Sequence, residues 1–252
     1  MSKNTNQVCV VTGGNSGIGL SICKRLLELE YRVSILDINI DRAIQEFGQR
    51  VKEKEVIINQ GDVAKREDIE EAVEKTLTEY SMIHHLVCNA GILTTKNFLE
   101  EDEKNWDRVL SVNLKGAFLC CQVIAPIMIE NKSGCIVNIA YKSGMQTSQV
   151  SSLSYNASKA GIIALSRDLA ARLADYGIRV NCIAPGFIET PMTTKLDPEI
   201  VDKFVSAYKK LNPLKHVGTP IDIAYAVEFL ISDHADFITG EILNINGGSY
   251  MP

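Results

Sequence analysis

Seven short apolar runs recur along this chain, separated by amphipathic stretches of about 10 to 25 residues. Val8 to Thr12, Arg32 to Leu36, Glu55 to Asn59, His85 to Cys88, Cys135 to Ile139, Arg179 to Ile183 and Ile242 to Ile245 read as strands. A run apolar throughout suits a strand covered on both faces, and a helix between successive strands makes them parallel. Gly17 to Glu30, Asp41 to Lys52, Arg66 to Tyr80, Asp102 to Glu130, Tyr155 to Tyr176 and Ile221 to Ser232 read as those helices. Asp41 and Pro220 mark helix starts, and Gly177 marks a stop. Right-handed crossovers then predict an α/β, doubly wound, seven-stranded parallel sheet with helices on both faces, in the order 3-2-1-4-5-6-7. The whole of 1–252 is expected to form one domain, with 185–213 as a loop too polar and broken for the sheet yet long enough to contain short helices.

Composition narrows the class. Hydrophobic residues make up 46% and charged residues 23%, and the net charge of -5 with no Lys/Arg-rich run argues against a nucleic-acid surface. The start is polar, and no uninterrupted apolar run approaches the ~18 residues of a membrane span. The seven cysteines (9, 23, 88, 120, 121, 135 and 182) show no Cys-x-x-Cys spacing, and several fall inside apolar segments. They are read as buried thiols of a cytoplasmic protein. His84 and His85 lack metal-ligand partners at suitable spacing, and no metal site is expected.

The first strand runs directly into Gly13-Gly14-Asn15-Ser16-Gly17-Ile18-Gly19 and a helix. Small residues there let the backbone approach a pyrophosphate, and the helix N-terminus offers free N–H groups and partial positive charge, the hallmark of a Rossmann fold. Asp37 follows Gly19 by 18 positions at the end of the second strand, where a carboxylate binds an adenosine ribose and repels a 2′-phosphate. Neither Ser16 nor Ile38 beside it adds positive charge, so NAD is favoured over NADP. Further on, Tyr155 and Lys159 stand at i and i+4 on one helix face. A neighbouring ammonium favours phenolate, so the Tyr155 phenol is expected to move towards neutral pH and act as acid and base for a carbonyl.

Taken in order, Thr12-Gly13-x-x-x-Gly17-x-Gly19, Asn89-Ala90-Gly91, Asn113, Tyr155-x-x-x-Lys159 and Pro185-Gly186 resemble the short-chain dehydrogenase/reductase family over nearly the entire chain. The chain is similar to its compact branch of 3-oxoacyl carrier-protein reductases and sugar, polyol and steroid alcohol dehydrogenases. The resemblance implies that Asn15, Ser16 and Ile18 lie under the pyrophosphate and that Asp62-Val63 holds the adenine edge. It places Asn89, Ala90 and Gly91 as the floor, with Pro185, Gly186, Ile188 and Thr190 bordering the nicotinamide. Lys159 would also hold the nicotinamide ribose, and Asn113, at a local break in the long helix, a water linking Lys159 to solvent. A homotetramer acting on a small alcohol or carbonyl substrate is implied as well, with the helices from Asp102 and Tyr155 at subunit contacts.

One departure stands out. Where the family carries a serine that donates to the substrate oxygen, this chain has Tyr141, in Ala140-Tyr141-Lys142-Ser143-Gly144. Loss of such a donor costs ~10² to 10³ in rate. Three readings stay open: Tyr141 supplies the hydroxyl, Ser143 swings in, or the chain is weakly active or a dinucleotide-binding scaffold. Intact Tyr155 and Lys159 argue against the scaffold. Lys142 raises the alternative of an anionic substrate against that of a solvated surface lysine. Met145, Phe187, Met192 and Leu196 are candidate pocket-lining residues or a plain lid.

Overall fold

The computed structural model describes residues 7–148, 151–194, 205–206, 208–210 and 212–252. Seven strands form one sheet in the order β3-β2-β1-β4-β5-β6-β7, every pair parallel. They are β1 (Val8–Thr12), β2 (Arg32–Asp37), β3 (Val56–Gln60), β4 (His85–Cys88), β5 (Gly134–Ile139), β6 (Ile178–Pro185) and β7 (Ile242–Ile245). The expected strand order and fold class are both observed.

Alternation along the central strand shows why both faces must be covered. Cys9 and Val11 join one core cluster and Val10 joins another on the opposite side. The first cluster is completed by α1 (Gly17–Glu28), α2 (Asp41–Lys52) and α8 (Pro220–Ile231). The second is completed by α3 (Arg66–Tyr80), α5 (Gly116–Glu130) and α6 (Leu153–Leu173). Leu26, Ile35, Leu86, Ile124 and Ile136 are all fully buried, each stabilising the fold by roughly 1.5–3 kcal/mol relative to exposure.

Three details of these elements matter to the site. The stretch from Asp102 to Glu130 is α4 (Glu103–Leu110), a π-helical turn (Ser111–Lys115) and α5, so the long helix is broken at Asn113 as expected. α6 begins at Leu153, two residues before Tyr155, because Ser152 caps it by accepting from the Tyr155 N–H at 3.3 Å. Within the irregular stretch after β6 lies a short helix, α7 (Pro191–Thr194), of the kind its length allows. The rod 103–130 is long and apolar enough to cross a membrane by length and composition, with 56% of its most apolar window buried inside the protein.

All seven cysteines are free and buried. His84 and His85 sit at the opposite end of β4 from the glycine loop. His84 Nδ1 accepts from the Val8 N–H at 3.0 Å, while His85 Nε2 lies 2.8 Å from Gln7 Oε1 and its Nδ1 is buried without a partner among the described residues. Burial, reinforced by His84 and Arg179, pushes the His85 pKa down to about 3. The folded protein therefore refuses a proton that the unfolded chain takes up below about pH 6.5, and stability falls as pH drops through that value. Denaturation at pH 7.5 and pH 5 should differ by about 2 kcal/mol from this site, above the range where carboxylates titrate. In His85→Gln most of that difference should vanish.

Candidate active site

The carboxyl ends of β1, β4, β5 and β6 open into a cavity of ≈ 280 Å³. At one end is the glycine loop between β1 and α1. Gly13 has φ +70°, and a Cβ there would meet Asn89 Nδ2 at 2.8 Å and the Ala90 backbone at 2.9 Å. A Cβ on Gly19 would lie 2.0 Å from the Gly13 carbonyl oxygen, so only glycine lets α1 start this close to the loop. Asn89 Nδ2 donates to the carbonyls of Thr12 and Gly13, both at 3.1 Å, and Thr12 Oγ1 accepts from the N–H groups of Asn89 and Ala90. The loop is thereby stitched to the end of β4, leaving a backbone cradle at a helix N-terminus that fits a pyrophosphate.

Asp37 ends β2 on the wall of this cradle. One carboxylate oxygen accepts from the Asn15 N–H at 2.9 Å and the other from the Asn39 N–H at 3.2 Å. Asp62 lies beyond it and accepts from the Ala64 N–H and from Arg108 Nη1, both at 2.9 Å. Burial raises the Asp62 pKa, but Ala64 and Arg108 outweigh it and hold the carboxyl below its ordinary range. Arg108, from α4, also lines the cavity; a lone basic residue on an exposed helix gave no signal in the sequence.

Of the residues singled out from sequence for the cofactor, Gly13, Ser16, Gly17, Ile18, Asp37, Ile38, Asp62, Val63, Asn89, Ala90, Gly91, Tyr155, Lys159, Pro185, Gly186, Ile188 and Thr190 all line the cavity. Asn15 and Gly19 are set behind it. Asn15 Oδ1 accepts from the Ala43 N–H at 2.8 Å, fastening the loop to the start of α2. Thr190 closes over Gly17, where a Cβ would lie 3.3 Å from its side chain.

At the other end Tyr155 and Lys159 share one face of α6, both buried. Lys159 Nζ donates to the Ile139 carbonyl at 2.8 Å and lies 5.6 Å from the Tyr155 ring centre. Burial brings the Lys159 pKa down to about 8. The expected lowering of the Tyr155 phenol is not found in the protein alone. Burial, and then the Tyr141 phenol, push its pKa well above the usual value, because the ammonium is turned to Ile139 and does not offset desolvation.

Asn113 does not line the cavity. Its Oδ1 accepts from the Ile92 N–H at 2.8 Å, and its Nδ2 donates to the Ile92 carbonyl at 3.0 Å and to Ser158 Oγ at 3.1 Å. It thus clamps the loop after β4 to α6 beside Lys159. Glu101 performs a similar task at the start of α6, accepting from the Ser154 N–H and hydroxyl and from Asn105 Nδ2. Neither Glu101 nor its partners forms a spacing that a sequence scan recognises.

A family model described as enoyl-(acyl carrier protein) reductase matches residues 13–250. The 3-oxoacyl-[acyl-carrier-protein] reductase of Staphylococcus epidermidis is 36% identical over 248 residues, 98% of this chain and 100% of that protein. That of Thermotoga maritima is 37% identical over 246 residues, 96% and 97% of the two chains. This chain is a short-chain dehydrogenase/reductase. Solved structures agree: gox2181 superposes with a TM-score of 0.89 at 35% identity, covering 97% of this chain and 95% of that one. Levodione reductase gives 0.88 at 32% identity, covering 97% of each.

For a short-chain dehydrogenase/reductase the wall facing Tyr155 is unusual. Tyr141 lines the cavity and meets the Tyr155 ring edge-on, centres 5.9 Å apart at 67°. Burial, with Tyr208 nearby, raises its phenol pKa. Ser143 does not line the cavity; its hydroxyl is buried with no partner among the described residues. Lys142 is half-buried and is not part of the cavity wall. Its Nζ donates to Ser249 Oγ at 3.2 Å and lies 4.7 Å over the Tyr208 ring, so the geometry gives an anionic substrate no direct contact with it. Phe187 and Met192 line the cavity, Met145 packs on the core instead, and Leu196 lies outside the described residues. Two serines that sequence reasoning missed, Ser148 and Ser151, also line it.

Replacing Asn113 tests whether it is a clamp. Asn113→Ala would leave both polar groups of Ile92 without their partner, and each such loss costs about 1–3 kcal/mol. Urea denaturation should show a fall of at least about 2 kcal/mol; unchanged stability would contradict the clamp.

Proposed function

We propose that this protein is an NAD(H)-dependent oxidoreductase that interconverts a secondary alcohol and a ketone or aldehyde, with Tyr155 as the acid and base. The observation that carries the reading is a single cavity holding the glycine cradle and Asp37 at one end and the buried Tyr155–Lys159 pair at the other. The names of the similar proteins, 3-oxoacyl-[acyl-carrier-protein] reductase and levodione reductase, are those of reductases. The bound nicotinamide would donate or accept the hydride.

The chain's own part is to hold the substrate carbon at that ring, exclude water and move one proton at the Tyr155 hydroxyl. A phenol this far raised by burial is a poor base until positive charge reaches it. Lys159 supplies that charge when its ammonium turns from the Ile139 carbonyl toward the ribose and the phenol. Tyr141 stands in for the absent serine, its hydroxyl donating to the substrate oxygen beside Tyr155. Asn113, Glu101 and the Ser152 cap keep α6 in register with the floor.

The choice of NAD rests on Asp37. Its carboxylate is preset by two backbone N–H groups toward a ribose diol, and Ile38 beside it is exposed and uncharged. A cytoplasmic setting is supported by the seven buried, unpaired cysteines. A homotetramer is supported by apolar side chains left partly exposed on α4 and α5, Trp106 at 38% and Phe118 at 42%.

A second reading, a dinucleotide-binding protein without turnover, draws on the same Tyr141 ring, which narrows access to Tyr155. NADH fluorescence titration with a turnover screen over polyols, hydroxy acids, acyl thioesters and steroids separates the two. In Tyr155→Phe, kcat should fall by ~10² to 10⁴ with NADH affinity held within a few-fold. In Tyr141→Phe it should fall by ~10² or more if that phenol supplies the substrate donor. NADH binding with no turnover of any substrate would favour the second reading.

Asp37→Ser combined with Ile38→Arg should shift kcat/KM from NAD toward NADP by about 10²-fold or more, since a repelling carboxylate becomes a phosphate-pairing guanidinium. A preference unmoved by this pair would remove Asp37 from the selection of the coenzyme.

A further inference from the structure

Asn156, the residue after Tyr155 on α6, holds the serine edge of the cavity. Its Nδ2 donates to the Ser148 carbonyl at 3.2 Å and to the Ser151 carbonyl at 3.5 Å. Two acceptors on that side fix the orientation of the amide, so its Oδ1 faces Ser151 Oγ at 2.6 Å. Oδ1 only accepts, so the one Ser151 hydroxyl proton is committed to it. Ser148 Oγ, at 3.2 Å from Ser151 Oγ, is a second and more distant acceptor for the same proton, which the 2.6 Å contact to Asn156 outcompetes. What Ser151 offers the cavity is therefore lone pairs, and its match is a hydroxyl that donates.

The remaining walls sharpen this. Leu93, Phe187 and Met192 are apolar, while Tyr141 and Tyr155 add two phenol side chains to the lining. Ser151 precedes Tyr155 by four residues across the capped start of α6, so its acceptor belongs to the same end of the cavity. We propose that Ser151, oriented by Asn156, is a specificity residue that selects substrates bearing a second hydroxyl near the reacting carbon, that is, hydroxy ketones and diols in preference to simple ketones and alcohols. This rests on the oxidoreductase reading above and names the substrate class within it.

Matched pairs differing by one hydroxyl provide the test: acetoin against 2-butanone and 2-hydroxycyclohexanone against cyclohexanone with NADH, and cyclohexane-1,2-diol against cyclohexanol with NAD. The hydroxylated member should be preferred in kcat/KM by about tenfold or more, the size of one hydrogen bond made in a dry site. Ser151→Ala should bring each pair within about twofold by slowing the hydroxylated member, leaving the plain ketone rate and NADH affinity unchanged. Asn156→Leu should also erode the preference, because it removes the amide that fixes the orientation of the Ser151 hydroxyl.

Equal rates within pairs in the parent protein, or a preference that survives Ser151→Ala, would overturn the assignment while leaving the oxidoreductase reading standing. Loss of both rates in Ser151→Ala with weakened NADH binding would also overturn it, marking the serine as structural. Absence of turnover on every compound, with NADH bound, would remove the oxidoreductase reading and this assignment together.

Discussion

Burial of the Tyr155–Lys159 pair is the constraint on which the rest of the site depends. A buried ammonium is costly unless something accepts its hydrogen bonds, and here that acceptor is the carbonyl of Ile139, the last residue of β5. The contact joins α6 to the carboxyl end of the sheet at the level of the cavity. Neighbouring residues leave no slack: a Cβ on Gly144 would lie 2.8 Å from the Lys159 carbonyl, so the turn after β5 lies directly on α6. The wall that carries Tyr141 is thus positioned by the helix that carries Tyr155, and the edge-on contact of their rings follows.

The same burial sets the chemistry. Desolvation raises a phenol and lowers an amine, and in the protein alone both shifts work against proton exchange at Tyr155. An acid and base of this kind is ready only when another charge or donor enters its surroundings. Coupling of reactivity to coenzyme arrival is then a consequence of desolvation and needs no moving part beyond the Lys159 side chain. The sheet contributes by geometry: parallel strands place all their carboxyl ends on one edge, where loops from β1, β4, β5 and β6 meet.

How much of this can be read in the residues depends on whether the signal is local. Strand order, the glycine loop and Asp37 are legible because apolar runs, glycines at a strand-to-helix turn and an acid at a fixed offset lie along the chain itself. The break at Asn113 was legible only through resemblance, since a π-helical turn has no distinctive composition. Illegible were contacts whose partners are far apart in sequence: Lys159 on Ile139, Glu101 on Ser154, Arg108 on Asp62. The expected pKa of Tyr155 went wrong for that reason. Helical spacing puts an amine near a phenol, but only the fold decides which acceptor the amine faces and how much water both lose.

Under the proposed function, Tyr141 in place of a serine bears on both rate and selection. A serine in its place would offer a small hydroxyl and leave space; a tyrosine offers a hydroxyl at the end of a rigid ring that fills it. On that reading the ring would restrict the cavity beside Tyr155 to compact substrates and make the polarity of the remaining edge count for more. That edge is Ser148 and Ser151, held by Asn156 from the first turn of the helix that bears Tyr155. Selection by a second hydroxyl is a natural counterpart of such narrowing, because a small site gains little discrimination from apolar area and much more from a hydrogen bond that only the correct substrate completes. Catalytic and selective groups then share one rigid element, and any change that shifts the start of α6 moves both at once.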